Sequence, residues 1–351
     1  MRKNYIDNIR IVCILLLFPY HTCRIFTEEN FYIHVREVDL CDFFVGLLDP
    51  WFMPILFLLA GMSTYLSLTK RSNRQYIKER VTKLLIPCVC GVLLTVPIQT
   101  YYAEKYHNGY TGNYIEQLKL FFTKETDLTG YTGGFTPAHF WFLLVLFIVS
   151  LVALPGILKL RNIRQEQFGS LVNPIGLFMV FLPLNIVSIF ELVGIPILRY
   201  LFLMLMGAVF CLNEKILDTI KKYRRYYLIS MLLAIVYYLL EGFNIIPHLG
   251  IISDLIKEIR AWSTILTVLG YTMVYWNTSN RVMNYFKVSC FPIYEVHQTI
   301  LIVVAYFIVR NSSLFGVQYL GILIMTFLLS ILSYEMLRRF KITRWMFGIK
   351  P

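Results

Sequence analysis

Charged residues are scarce in this sequence. Asp, Glu, Lys and Arg make up 15% of the 351 residues, whereas 57% are hydrophobic and the mean hydropathy is +0.62. The sequence also lacks a glycine-rich phosphate-binding loop, which argues against nucleotide hydrolysis, and its six histidines are not spaced as metal ligands. Internal repeats and low-complexity segments are absent as well. This composition argues against a soluble protein and favours a membrane protein.

Apolar runs near twenty residues long recur along the whole chain. About twenty apolar residues cross the bilayer core as a helix, so each run is a candidate span. Ten such runs lie at residues 10–27, 43–68, 84–103, 137–157, 171–192, 194–213, 226–247, 260–277, 288–309 and 315–337. The sequence therefore predicts an all-α integral membrane protein, a bundle of about ten transmembrane helices. We expect one membrane domain over residues 1–351, with no appended soluble module.

The net charge of +12 is distributed in alternate loops. Basic clusters follow the second, fourth, sixth, eighth and tenth predicted spans: Lys70, Arg71, Arg74, Lys78, Arg80 and Lys83; Lys159, Arg161 and Arg164; Lys215, Lys221, Lys222, Arg224 and Arg225; Arg281 and Lys287; Arg338, Arg339, Lys341, Arg344 and Lys350. The other loops carry most of the acidic residues: Glu28, Glu29, Glu37, Asp39, Asp42, Glu104, Glu116, Glu125, Asp127 and Asp254. The positive-inside rule then places both termini in the cytoplasm. We interpret the charge as a topology signal of a multi-pass protein in the cytoplasmic membrane, and expect no nucleic acid partner.

The first predicted helix carries ionisable residues along one face. Eleven residues separate Arg10 from His21, and at about 100° per residue their side chains lie only about 20° apart, with an axial separation of about 16 Å. Asp7 precedes Arg10 by three residues and joins the same stripe. Pro19 is expected to loosen the helix beside His21. An anchoring arginine and a hydrogen-bonded interior histidine would explain the pair, but ionisable groups inside spans usually mark a functional site.

The chemistry of this pair favours acyl transfer. Arginine binds phosphate groups through a fork of donors, and histidine can take a proton from a hydroxyl group. A ligand with a phosphorylated head and a long thin arm would reach from Arg10 to His21, and coenzyme A has that shape. We therefore expect an acyl-CoA donor from the cytoplasm and a hydroxyl acceptor from outside the membrane.

Several segments resemble the membrane-bound acyltransferase family 3 in the order in which that family carries them. They are IDNIRIVCILLLFPYH (residues 6–21) with its Arg-x10-His pair, PILFLLAGMSTY (54–65), ERVTKLLIP (79–87), HFWFLLVLF (139–147) and SCFPIYEVHQTIL (289–301). The family O-acylates cell-surface carbohydrates and similar acceptors. The tail YEMLRRFKITRWMFGIKP is similar to that of the glucan biosynthesis protein C branch, which succinylates periplasmic glucans.

The resemblance implies roles for particular residues. His21 is expected to be catalytic, either as general base or as a transient carrier of the acyl group, and Arg10 to bind the donor. In the basic loop before the third span, Arg80 is our candidate for a second donor contact. Supporting roles are expected for four residues in addition to Asp7: Tyr294, His297, His139 and Trp141. For His139 an interfacial position, and for His297 a structural hydrogen bond, are the alternatives.

Donor, acceptor and assembly are only partly defined by the sequence. Acetyl-CoA or succinyl-CoA is the expected donor substrate, and no permanently bound cofactor or metal is expected. The acceptor is a glycan or a related hydroxyl compound. Trp141 is followed by FLLVLF rather than the Val-Glu-Glu-like segment of relatives that modify lipopolysaccharide O-antigen, so the acceptor stays open. Formation of a homo-oligomer is left open too.

A multi-span transporter or flippase is the alternative function. In that reading Arg10, His21, Glu295 and His297 would line a conduction path. Transporters often contain pseudo-symmetric halves, and none is visible here. A sensory or scaffolding membrane protein is a weaker third hypothesis.

Overall fold

The computed structural model describes residues 3–27, 31–124, 131 and 133–349, and within them the regular elements are helices, without a β-strand. Up to Leu160 the α-helices are α1 (Asn4–Arg24), α2 (Asp39–Leu48), α3 (Phe52–Leu68), α4 (Asn73–Arg80), α5 (Ile86–Leu94), α6 (Val96–His107), α7 (Tyr114–Thr123) and α8 (Trp141–Leu160). After it come α9 (Gly169–Val172), α10 (Pro174–Phe178), α11 (Phe181–Ser188), α12 (Ile197–Leu212), α13 (Glu214–Gly242), α14 (Ile251–Tyr275), α15 (Arg281–Asn311), α16 (Phe315–Leu337) and α17 (Lys341–Met346). A π-helix spans Val81–Leu85, and 3₁₀ helices span Ala138–Phe140 and Gln165–Phe168.

Six of these helical segments are long and apolar enough to cross a membrane. They are Asn4–Arg24, Asp39–Leu68, Asn73–His107, Ala138–Leu160, Arg281–Asn311 and Phe315–Leu337. Two bent pairs, Glu166–Val172 with Pro174–Ser188 and Ile197–Leu212 with Glu214–Gly242, bring the number to eight if each pair is one span. The all-helical membrane class is therefore confirmed, whereas the structure supports six to eight spans among the described residues instead of the predicted ten.

The difference in number arises around α12, α13 and α14. The sequence predicts a basic loop between two spans, but Lys215 and the following basic residues lie inside α13, which begins directly after a 99° bend at Asn213. The Asn213 side chain accepts a hydrogen bond from the backbone N–H of Lys215 and so caps the new helix. In α14, four charged residues before Ala261 shorten the uncharged stretch below the length of a span: Asp254, Lys257, Glu258 and Arg260.

The described chain forms two compact units. The first contains the described residues of Met1–Cys13, Gly46–Ile77 and Ile148–Met283, and the second those of Ile14–Val45, Lys78–Phe147 and Asn284–Pro351. Arg10 belongs to the first unit and His21 to the second. The single domain over residues 1–351 stays a prediction, and Glu28, Glu29, Glu125, Asp127 and Lys350 lie outside the described residues.

Glycines allow α3 and α12 to pack closely in the first unit. A Cβ atom on Gly61 would lie 1.8 Å from the carbonyl oxygen of Met204, and one on Gly207 would lie 2.0 Å from that of Leu58. Small residues at helix interfaces are what lets backbones approach inside membranes. This contact fixes the start of α12 against α3, where the rings of Phe57 and Tyr200 stack at 4.1 Å.

We expect the Gly61→Ala variant to be less stable than the wild type. Alanine normally stabilises a helix relative to glycine by up to about 1 kcal/mol, but here the new methyl group collides with backbone that cannot move aside. Thermal unfolding of the purified protein in detergent measures the effect. Gly316→Ala is the control, because a Cβ there meets nothing within 4 Å. Equal melting temperatures for the two variants would contradict the close packing.

Candidate active site

Three histidines that are far apart in the sequence meet in the second unit. His21 comes from the last turn of α1, His139 from the 3₁₀ helix before α8, and His297 from the middle of α15. The ring centroid of His297 lies 5.2 Å from that of His21 and 5.3 Å from that of His139. Candidate residues from three separate motifs thus form one cluster, which we call the histidine cluster.

Main-chain carbonyl groups hold two of these imidazoles. Nε2 of His139 lies 3.1 Å from the carbonyl oxygen of Glu295, and Nδ1 of His297 contacts the carbonyl oxygen of Tyr294. In return, the Tyr294 hydroxyl donates to the carbonyl oxygen of His139. Because a carbonyl oxygen can only accept, each contacting nitrogen must carry the proton. When the two rings are neutral, Nδ1 of His139 and Nε2 of His297 are therefore proton-free, and neither has a hydrogen-bond partner among the described residues.

The turn that positions His139 in the cluster has a strained backbone. Ala138 has a φ of 47°, in the left-handed region that residues other than glycine seldom adopt. Its backbone N–H donates to the side-chain oxygen of Thr136 at 3.1 Å, and Pro137 precedes it. Such strain persists where the surrounding structure enforces it, and it is common at functional sites.

His21 differs from its two neighbours because no carbonyl group of the described chain contacts its ring. Its Nδ1 is buried without a hydrogen-bond partner among the residues that the structure describes, while the residue as a whole keeps some accessible surface. Phe31 stacks on the ring with centroids 6.0 Å apart and an interplanar angle of 14°. Tyr20 packs edge-on at 5.0 Å. The His21 imidazole is thus oriented by aromatic rings and keeps nitrogen capacity for a ligand.

Glu295 presents a further polar group beside the cluster. Its side chain is fully buried, and both carboxylate oxygens lack a hydrogen-bond partner within the described part of the chain. Only its carbonyl oxygen contacts a member of the cluster, His139. Residues 295 and 297 lie about 200° apart on one helix, so only one of them is expected to face the site. The family resemblance favours His297, and its ring lies in the cluster.

Arg10 lies in the first unit, where it is held by α3. Its Nη2 donates to the carbonyl oxygen of Leu59 at 3.0 Å and to the hydroxyl of Ser63 at 2.6 Å. Nη1 lies 3.7 Å from Asp7, so the predicted carboxylate–guanidinium pair is present. About a third of the Arg10 side chain stays exposed, at 34%.

The remaining candidates are more scattered. Arg80 is the last residue of α4 and is partly buried where the π-helix begins. Trp141 starts α8 and is partly exposed, with its ring 6.3 Å from that of Phe142. Sequence reasoning missed the contribution of Phe31, because the polar segment around it shows no pattern that points back to α1. It also missed main-chain carbonyl groups, which every residue has and no motif reveals.

Among the described residues, no group of three or more His, Cys, Asp or Glu side chains has a geometry that could hold a metal ion. The contacts are between ring faces and edges, as in the 5.7 Å approach of Phe18 to His297. This arrangement suits proton transfer to and from a ligand.

The structure is that of a multi-pass helical membrane protein with a cluster of imidazoles, which makes it a candidate for group transfer at the membrane. Comparison with known families identifies the class of protein. The family model described as an acyltransferase domain matches residues 3–335. The chain belongs to this family, the membrane-bound acyltransferase family 3. The resemblance drawn from the motifs is confirmed.

Curated relatives of the chain carry one name, glucans biosynthesis protein C. The protein of Escherichia coli O17:K52:H18 strain UMN026 is 22% identical over 381 residues, which cover 100% of this chain and 95% of that relative. The protein of Shigella dysenteriae serotype 1 strain Sd197 is 22% identical over 379 residues with the same coverage. No solved structure matches the chain significantly.

We expect Tyr294→Phe to lower the stability of the protein. The change removes the hydroxyl that satisfies the buried carbonyl oxygen of His139, and an unpaired buried acceptor costs about 1–3 kcal/mol. Thermal unfolding in detergent measures the loss. Tyr227→Phe is the matched control, because its hydroxyl makes only a long contact of 3.4 Å with the carbonyl oxygen of Pro174. A Tyr294 variant as stable as the control would contradict this role.

Proposed function

We propose that this protein is an integral membrane O-acyltransferase that moves an acyl group from a cytoplasmic acyl-CoA to a hydroxyl group of an extracytoplasmic glycan. The observation that supports it best is the histidine cluster, in which His21 alone has an imidazole free of main-chain partners and partly accessible. Family membership supports acyl transfer and does not favour the transporter alternative.

The proposed reaction needs one proton acceptor at the thioester. A nitrogen of His21 takes the proton of the acceptor hydroxyl as the hydroxyl oxygen attacks the thioester carbonyl carbon. The carbon–sulfur bond breaks, an ester forms, and the coenzyme A thiolate leaves and recovers the proton from the imidazolium. In the alternative route a His21 nitrogen attacks the thioester carbon, the carbon–sulfur bond breaks and the coenzyme A thiolate leaves. The hydroxyl oxygen then attacks the acyl-imidazole, the carbon–nitrogen bond breaks, and the hydroxyl proton passes to the thiolate.

His139 and His297 are proposed as supporting groups. Each has a proton-free nitrogen and a second nitrogen fixed by a carbonyl oxygen. Two neutral acceptors beside His21 would stabilise the positive charge that develops on its ring. Tyr294 would act as a positioning residue, since it ties the His139 segment to α15.

Donor binding is proposed to involve guanidinium groups. Arg10 lies on the same helix as His21, is partly exposed and is oriented by Ser63 and Asp7. Its fork of donors suits the phosphate groups of an acyl-CoA. Arg80, at the junction of α4 and the π-helix, is proposed as a second phosphate contact, and Trp141 as part of the acyl or sugar wall.

The remaining features of the proposal follow from the charge pattern and the relatives. A multi-pass arrangement in the cytoplasmic membrane with both termini inside would present the donor side to the cytoplasm. Acetyl or succinyl is the proposed acyl group, with no resident cofactor, metal or nucleic acid. A glucan is the first acceptor to test, because the curated relatives are named for glucan biosynthesis.

We expect His21→Ala to reduce acyl transfer by a factor of about 10² to 10⁴, the range that a general base contributes. The assay follows radiolabelled acetyl-CoA or succinyl-CoA in membranes and counts label attached covalently to glycan. His34→Ala is the control, because His34 is a partly buried histidine of the same unit whose ring is not in the cluster. Normal transfer by the His21 variant would refute the mechanism, and uptake without covalent labelling would indicate transport.

We expect Arg10→Ala to raise the KM for acyl-CoA by about 10-fold or more, with a smaller change in kcat, because the lost contact is a charge-assisted hydrogen bond to phosphate. Initial rates against donor concentration measure both constants. Arg161→Ala is the matched control, since its guanidinium also donates to a main-chain carbonyl of α3, that of Leu68. An unchanged KM in the Arg10 variant would remove this residue from the donor site.

A further inference from the structure

The first unit contains a cavity of about 280 Å³, separate from any residue proposed above for the reaction. Its walls come from the last turns of α13, the first turns of α14, and the segment that joins α2 to α3. Lining residues that matter here are Asp49, Tyr238, Glu241, Asp254, Lys257 and Arg260. The volume lies just below the usual range of small-molecule pockets, about 300–1,000 Å³, so the cavity suits a small ligand.

Arg260 lines this cavity although it is a charged residue that is only 4% exposed. Its Nη2 donates to the carbonyl oxygen of Gly46 at 3.2 Å, and its guanidinium carbon lies 3.8 Å from the centroid of the Tyr238 ring. The Nε and Nη1 atoms have no hydrogen-bond partner among the described residues. A buried charged group with unused donors is costly, so this guanidinium is prepared for a ligand that supplies acceptor oxygens.

The other polar groups of the cavity include both hydrogen-bond acceptors and donors. Glu241 lies 2.6 Å from Nδ1 of His248 and is partly buried, whereas Asp254 is exposed at the rim. Tyr237 shares a hydrogen bond with Ser253, 2.9 Å between the two oxygens. Carboxylates, a guanidinium and phenol rings in one small space match a molecule whose hydroxyl groups both donate and accept, and whose C–H faces pack on aromatic rings.

Charge argues against an anionic occupant. Three carboxylates, those of Asp49, Glu241 and Asp254, line the cavity with two cations, Lys257 and Arg260, and the excess of negative charge disfavours the phosphate groups of an acyl-CoA. A neutral polyol meets no such repulsion. Among the ligands of the proposed reaction, the sugar acceptor fits these walls and the donor does not.

The position of the cavity on α13 agrees with access from outside the membrane. The basic residues of α13 lie in its first half, from Lys215 to Arg225, whereas Tyr238 and Glu241 lie in its last two turns. A helix of 29 residues is about 43 Å long, more than the thickness of the hydrocarbon core. With the basic end at the cytoplasm, the cavity faces the extracytoplasmic side.

We propose that this cavity is a subsite for one neutral sugar ring of the glycan, bound by Arg260 and the carboxylates of Glu241 and Asp254 against Tyr238. The inference rests on the proposed function, which supplies an extracytoplasmic glycan. It adds a recognition site in the first unit to the reacting groups of the second.

Saccharide binding to the full-length protein in phosphatidylcholine nanodiscs tests the inference. Glucose, galactose and cellobiose are the probes, followed by saturation-transfer NMR and calorimetry. Cellobiose is expected to bind, and Glu241→Gln and Asp254→Asn are expected to weaken it by about 10-fold or more, the loss that accompanies a hydrogen bond to a charged group. Asp218→Asn is the control, because Asp218 is an exposed carboxylate of α13 paired with Lys221 outside the cavity.

A second variant tests the shape of the cavity without changing a charge. A Cβ on Gly46 would lie 2.1 Å from the hydroxyl oxygen of Tyr238, so Gly46→Ala pushes that ring and is expected to weaken cellobiose binding. Unchanged binding in all three cavity variants, no binding of any probe to the wild type, or displacement of cellobiose by inorganic phosphate would each overturn the subsite.

Failure of the subsite can be told from failure of the proposed function. The subsite predicts that His21→Ala binds cellobiose as well as the wild type, because His21 lies outside the cavity. Saccharide binding that responds to the cavity variants in a protein without acyl transfer would refute the proposed function alone. If the protein transfers acyl groups but the cavity variants bind saccharide as well as the wild type does, the subsite alone would be refuted.

Discussion

The need to satisfy polar groups inside apolar helices is the constraint on which this structure depends. Hydrocarbon offers no partners, so a buried imidazole must find them within the protein. His139 and His297 use the carbonyl oxygens of Glu295 and Tyr294, and the Tyr294 hydroxyl returns a bond to His139. These contacts fix which nitrogen carries the proton on both rings. His21 is then the one member of the cluster whose ring no carbonyl group holds.

The first unit applies the same constraint to charges. Arg199 and Glu258 are both largely buried, and they pair at 3.1 Å, while Nη2 of Arg199 donates to the carbonyl oxygen of Pro50. Arg260, two residues further along α14, has an aromatic ring and one carbonyl oxygen instead of a carboxylate. A paired arginine is a structural element, whereas one with unused donors at a cavity wall is available to a ligand. Arg260 therefore differs from Arg199 in having donor atoms available at this cavity.

Much of the fold was predictable because apolar run length is a strong signal. The run at 315–337 forms a helix with those bounds, and the runs at 10–27, 137–157 and 288–309 form helices that overlap them closely. The prediction of separate spans failed where a long helical segment also contains charged residues. The basic residues after Asn213 lie in the helix α13 and not in a loop. An asparagine cap and good helix formers favour this helix, and the long basic side chains can extend away from its apolar surroundings. Hydropathy alone does not reveal that preference.

The sequence by itself determined the membrane class and the acyltransferase family, because composition and motif order are local properties. Only the tertiary structure decided which side chains meet. His21, His139 and His297 are separated by more than a hundred residues at each step, and no spacing rule joins segments so distant. The strained turn at Ala138, the stacking of Phe31 and the carbonyl partners are also results of packing. Contacts between distant segments depend on how whole helices pack, which no single stretch of sequence encodes.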